Sequence, residues 1–119
     1  MSDDKRVSVK IAIPTDDGKI IFPGMLGMAR SFHIYEHSYP ALKFIAERRN
    51  PYAESMQHLK TLDVYEIISD CRIIVSSGIG RKGRERLKKL GVRLYFKTGD
   101  LKKALSEVIK GYQNVEVEE

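Results

Sequence analysis

The sequence predicts an α/β protein built on a mixed five-stranded sheet with helices on its faces. Three observations carry that prediction. The chain has 119 residues, one domain's worth. Its apolar residues fall into five short strand-like runs and three stretches of near-helical spacing, in the order β-β-β-α-β-α-β-α. The second half alternates strand and helix, which demands parallel pairing with right-handed crossovers, while the first half reads as an antiparallel meander.

The first strand spans residues 7–13, where Val7, Val9, Ile11, Ala12 and Ile13 alternate and then become continuously apolar. Pro14-Thr15-Asp16-Asp17-Gly18 closes it with turn chemistry, and residues 19–22 could extend briefly. Pro23-Gly24-Met25-Leu26-Gly27 is a glycine-punctuated loop. Residues 31–37 read as a half-exposed strand, with Phe32 and Ile34 on one face and His33, Tyr35 and His37 on the other. Residues 39–48 are its antiparallel partner after a turn near Ser38-Tyr39-Pro40; a helix is the alternative there, and Asn50-Pro51 then breaks the chain. Residues 53–69 space Met56, Leu59, Val64, Ile67 and Ile68 as a helix does. Residues 71–76 form a buried strand. Residues 81–90 form an amphipathic helix with Leu87 and Leu90 inward and Gly91 as its C-cap. The last strand is 92–96. Asp100 N-caps a final helix that runs to about Ile109 on Leu101, Ala104, Leu105 and Val108, and Gly111 ends it.

Composition excludes several classes. No apolar run approaches the roughly 18 residues of a membrane span, and no signal peptide is visible at Met1–Arg6, so a cytoplasmic location is expected. The lone Cys71 rules out an internal disulfide framework and a four-thiolate metal site, and reads as a packed thiol. Net charge is +5, which invites a nucleic-acid hypothesis. The charge is spread, however, and only Arg81–Lys89 is a dense basic run. A basic helix face is more often simply solvated, so nucleic acid is not the expected partner.

Gly78-Ile79-Gly80-Arg81-Lys82-Gly83 is a literal G-x-G-x-x-G between a strand and a helix. Such glycines let backbone N–H groups approach an anion, and the helix start supplies positive potential. A dinucleotide site is the lesser reading, because Asp100 looks like a cap and too little chain follows to complete that fold. A tight strand-to-helix turn and a seat for a generic anion or metal cluster remain as alternatives. His33 and His37 share a strand face but lie about 13 Å apart along it, so they cannot both grip one metal without a bulge. With His58, they read as surface or interface side chains. Asp16-Asp17 could bind a divalent cation but are more often turn formers. No nucleophile–base pair stands at a persuasive spacing, and a non-enzymatic binding module is the expectation.

The motifs together resemble one family. Val9-Lys10-Ile11-Ala12-Ile13-Pro14-Thr15-Asp16-Asp17-Gly18 looks like the opening strand and turn of the dinitrogenase iron–molybdenum cofactor biosynthesis family. Gly27-Met28-Ala29-Arg30-Ser31-Phe32-His33-Ile34-Tyr35 is similar to its second segment. Asn50-Pro51, Ser77-Gly78-Ile79-Gly80 and Leu90-Gly91-Val92 follow in the family's order, so the resemblance spans roughly residues 7–110. It implies a three-layer, ribonuclease H-like fold and the handling of an iron–sulfur or iron–molybdenum cluster, with a protein partner in cluster assembly. Nuclease chemistry is not carried over, because that needs a carboxylate in the first strand. Where the family commonly has His-Phe-Gly, its histidine a candidate cluster ligand, this chain has Met25-Leu26-Gly27.

Ligands of open α/β sheets favour the carboxyl ends of the strands. The loops 14–18, 77–82 and 97–100 should gather there, with 23–28 beside the first. The candidate site is therefore Asp16, Met25, Gly27, Gly78, Ile79, Gly80 and Arg81, suited to a cluster or small anion. The alternative is an interaction or nucleic-acid-binding role for Gly78–Gly83 and the basic helix 81–89.

Overall fold

The computed structural model describes residues 8–38, 41–53 and 61–118, with side chains over 64–111 in the last stretch. Five strands form one sheet: β1 (Val9–Thr15), β2 (Ser31–Ser38), β3 (Ala41–Arg49), β4 (Ile73–Ser76) and β5 (Arg93–Phe96), in the order β3-β2-β1-β4-β5. Pairing is antiparallel for β1 with β2 and β2 with β3, and parallel for β1 with β4 and β4 with β5. Among the described residues three α-helices pack with the sheet: α1 (Thr61–Ile67), α2 (Arg81–Lys89) and α3 (Leu101–Glu118).

Strand alternation sends successive side chains to opposite faces. Val9, Ile11 and Ile13 of β1, with Ile73 and Val75 of β4, pack under Leu101, Ala104, Leu105 and Val108 of α3. Ala12, Phe32, Ile34 and Ile74 face the other way, against Val64, Ile68 and Leu87 from the α1 and α2 side. Two cores thus sandwich the sheet, the three-layer mixed architecture that was expected; the narrower ribonuclease H-like designation stays an inference from resemblance. Each fully buried Ile or Leu removed from water contributes roughly 1.5–3 kcal/mol.

The meander stands. Residues 41–49 are a strand and not a helix, paired from Ser38↔Ala41 to Ser31↔Arg49 with a bulge at Ile34/Tyr35. The turn at Tyr39-Pro40 lies outside the described residues, as do Val7, Met56, His58 and Leu59. Several expectations are corrected. β1 runs two residues further than predicted, because Pro14 pairs with Phe32 and needs no N–H to do so, while its carbonyl accepts from Phe22 N at 2.9 Å. β2 is not half-exposed: Tyr35 and His37 are buried, since β2 is an interior strand with neighbours on both sides. His37 is accordingly no surface residue, and burial pushes its pKa below the usual histidine value. Leu90 points out and is 59% exposed. Gly91, at φ +85°, closes α2 with Val92 N on Leu87 O (3.0 Å) and Gly91 N on Lys88 O (3.0 Å). That termination turns Leu90 away and leaves Gly83 and Leu87 as the buried positions of α2. Gly111 does not end the last helix, which continues to Glu118; its φ is not positive, so nothing there breaks the ladder.

A charged clamp ties three elements together. Arg48 of β3 donates to both oxygens of Asp70 (2.7 and 2.9 Å) and to Ile67 O at the end of α1 (2.7 Å), and Lys10 of β1 reaches Asp70 at 3.3 Å. The Arg48 guanidinium holds the Asp70 carboxyl well below the usual carboxylate range.

Candidate functional site

The parallel strands β1, β4 and β5 end on one side of the sheet, and the loops that follow them are stitched there. The 16–20 turn is built from its own side chains. Thr15 Oγ1 donates to Ile20 O (2.7 Å) and accepts from Gly18 N (2.9 Å). Asp17 Oδ1 accepts from Lys19 N (2.8 Å) and Ile20 N (3.1 Å), and those amides hold its carboxyl below the ordinary value. Asp16 Oδ1 accepts from Arg30 N at 2.9 Å. Both acids are therefore turn and loop formers in this fold. The turn docks on the start of α3 through Ile21 N to Gly99 O and Leu101 N to Lys19 O, each 2.9 Å. Asp100 caps α3 as predicted, accepting from Lys103 N at 2.8 Å.

The segment 22–30 lies against the loop after β4, and two residues that sequence reasoning passed over hold it. The single Ser77 Oγ–H proton is shared between Phe22 O (2.8 Å) and Gly24 O (3.0 Å). Leu26 N donates to Gly78 O (2.9 Å), and Met25 and Gly78 form a parallel bridge. Ser76 Oγ turns the loop by donating to Gly78 O (3.0 Å) and accepting from Gly78 N (3.3 Å). At the other end sits Asn50, only 4% exposed. Its Nδ2 donates to Gly27 O (3.0 Å) and Ala29 O (2.8 Å), its Oδ1 accepts from Tyr52 N (3.1 Å), and its N reaches Arg30 O (2.8 Å). A buried amide with its bonds satisfied is a rigid anchor. In the sequence Asn50 stood as a chain break before Pro51 and Ser77 as the residue before a glycine, each within a motif of the family resemblance; no local pattern announces either anchoring role.

Anchoring leaves Met25 and Met28 on the surface, 52% and 55% exposed, on either side of buried Leu26. A Cβ on Gly78 would meet the Met25 sulfur at 3.4 Å, so the thioether lies along that glycine. α2 begins three residues later, at Arg81. Gly80 is its N-cap at φ −59°, ψ 155°, an ordinary extended conformation, and no side chain caps the helix. A Cβ at Gly80 would meet nothing within 4 Å. The first turn contains no acid, and Arg81 projects into solvent, its Nε 4.0 Å from Glu85. The helix start is thus uncapped, open and positive.

The structure sorts the seven predicted site residues. Met25 and Gly78 are brought together, with Gly80 and Arg81 following directly in the chain. Ile79 turns inward and is part of the core on the α1 and α2 face. Gly27 faces Val64, and its carbonyl is taken by Asn50. Asp16 is committed to Arg30. The segment 23–28 sits on the loop after β4 more than on the turn after β1, because Ser77 and Gly78 offer it more partners.

Metal-ligating side chains do not converge: no group of three or more His, Cys, Asp or Glu suited to a metal ion occurs among the described residues. Cys71 is 1% exposed, and burial followed by the charge of Asp70 pushes its thiol up to about 12. His33 packs over Gly18 and against the Phe44 ring, with centroids 5.0 Å apart. Among the described residues, no helix is long and apolar enough to cross a membrane.

Comparison with known proteins decides the family. The sequence profile of the dinitrogenase iron-molybdenum cofactor family matches residues 7–111. The chain belongs to this family. Its fold is shared with solved structures of low identity. The crystal structure of PH0822 is 21% identical with a TM-score of 0.70, covering 87% of this chain and 92% of that one. The apo form of the orange protein from Desulfovibrio gigas is 15% identical, TM-score 0.68, covering 86% and 88%. An NMR structure of a NifB-like protein of the DUF35 family from Thermotoga is 20% identical, TM-score 0.62, covering 87% and 89%. No curated protein matches the chain. Membership of the dinitrogenase iron-molybdenum cofactor family makes this a small module related to that cofactor.

Proposed function

We propose that the chain is a non-catalytic module that holds an iron–sulfur or iron–molybdenum cluster as cargo during cofactor biosynthesis. The observation that carries this reading is the docking of Met25 on Gly78, beside the uncapped, open start of α2. The donor set defines what kind of cargo fits. Without a converging set of thiolates, imidazoles or carboxylates among the described residues, the chain is unsuited to building a cluster from free iron. It suits a preassembled anionic cluster, complete in its own sulfide ligands. Backbone N–H groups at Arg81 and Lys82 would face its charge, the two cations would add to that field, and the Met25 thioether would offer one soft contact. The hydroxyls of Thr15, Ser76 and Ser77 donate to backbone carbonyls and are not poised against a base, which favours binding over turnover.

The test is anaerobic titration with a preformed anionic iron–sulfur cluster, read by its visible absorption bands after gel filtration. Co-elution with the wild-type chain and at least tenfold weaker retention by Gly80→Val are expected. Valine can adopt the Gly80 backbone angles and would fill the open space. Equal retention by a folded Gly80→Val protein, or none by the wild type, would sink the proposal.

A further inference from the structure

The molecule's charge is divided unequally. Between Arg72 and Lys97, the β4–α2–β5 unit at one edge of the sheet, the chain carries nine Lys or Arg residues and a single acid, Glu85. The whole chain is only +5, so the remainder is net negative. The concentration is greatest on α2. Arg81, Lys82, Arg84, Arg86, Lys88 and Lys89 are all exposed, and Glu85 lies among them. Arg72 extends the series at the far end, where its Nη1 reaches Leu90 O at 3.4 Å.

α2 keeps the cations of its first half against its own helical stability, whereas Arg86, Lys88 and Lys89 stand in its last turn, where positive charge suits the dipole. Its N-cap is a glycine, its first turn has no acid, and cations stand at the positive end of the helix dipole. Its interior includes Gly83, a poor helix former. Departures from local rules concentrate at functional sites. A single small anion at the start of α2 would account for Arg81 and Lys82. It would not account for Arg84, nor does the dipole by itself call for as many as three cations, Arg86, Lys88 and Lys89, in the last turn.

We infer that the outer face of α2 binds the phosphodiester backbone of a nucleic acid without reading its sequence. Protein–protein interfaces are depleted in lysine, whereas nucleic-acid interfaces are far more positive and more polar. One acid among seven charged residues of α2 fits the second pattern. The helix is about 13 Å long, which matches roughly four phosphates of one strand at B-form rise. The face shares Arg81 and Lys82 with the Met25–Gly80 site, but Arg84 and Lys88 lie beyond that site, so variants there tell the two proposals apart.

Fluorescence anisotropy tests it with a labelled random-sequence 25-base-pair DNA duplex, titrated from 50 to 300 mM salt. Four phosphate contacts predict a slope of log K against log salt near about −3.6. Arg84→Gln with Lys88→Gln, both exposed and one helical turn apart, should flatten that slope by about 2. The control pair Lys102→Gln with Lys103→Gln, exposed on α3 across the sheet, should leave it unchanged, as should Met25→Ala. Absence of binding at 50 mM salt would overturn the inference. So would an equal loss from the α3 pair, or equally tight binding of poly-glutamate, which would point to an acidic protein surface as the occupant.

Discussion

Two glycine-bearing loops meet at the carboxyl edge of the sheet, and they use glycine for opposite reasons. At Gly18 the backbone is left-handed, φ +78°, and a Cβ would sit 2.6 Å from the His33 ring. At Gly80 the backbone is ordinary and a Cβ would meet open space. Gly18 is required by the fold around it. Gly80 is not, since neither its backbone angles nor any neighbour within 4 Å requires a glycine there. The motif with the more familiar functional spelling is therefore the one whose glycine the fold itself does not need.

Exchanging the two glycines for alanine is the sharpest way to break this contrast. Gly18→Ala is expected to cost about 2 kcal/mol, from the left-handed backbone and the contact with His33, measured by urea unfolding. Adding His33→Ala should restore the part due to the contact. Full stability in the single variant would erase the distinction.

Ser77→Ala comes next. It removes the hydroxyl that holds Phe22 and Gly24, at an expected cost of about 1 kcal/mol. Amide exchange should quicken at Leu26, whose N–H is bonded to Gly78 O. Unaltered protection there would mean that the backbone bridge alone sets the loop.

Gly80→Ala should shift stability the other way, by about 0.5 kcal/mol in favour of the folded state, because alanine loses less chain entropy at compatible angles. A destabilised variant would place an unseen constraint at the helix start.

The smallest effect concerns pH. The Lys19 and Ile20 amides lower the Asp17 carboxyl in the folded chain, so on acidification the unfolded chain takes up that proton first. Asp17 thus adds stability above its unfolded value, near about 4, and this contribution disappears as pH falls through the lower folded value. The amide shifts of Lys19 and Ile20 should follow one titration below about pH 4. An Asp17 titration above that value would show that the turn does not depend on its charge.

The architecture was legible where a pattern is local. Alternation located β1 and β2, a β-branched run located β4, and Asp100 and Gly91 punctuated α3 and α2 as their chemistry dictates, whereas the period of 39–48 left a helix open and only the pairing of β3 decided it. Boundaries moved where tertiary pairing extended or released a segment, as at Pro14, Leu90 and Gly111. The candidate site was legible only in part: the glycines at 78 and 80 announce an unusual loop, but Asn50 and Ser77 act on residues 21 to 55 positions away.

Composition and periodicity by themselves determined an α/β sheet protein with a buried thiol, because burial of apolar surface acts on every few residues and leaves a readable period. Only the tertiary structure decided which loops touch, that Asp16 and Asp17 serve the backbone, and that the basic run visible at Arg81–Lys89 lies at one edge of the sheet. Those outcomes depend on hydrogen bonds and charge placement between distant segments, and no local run of residues encodes a partner that far away.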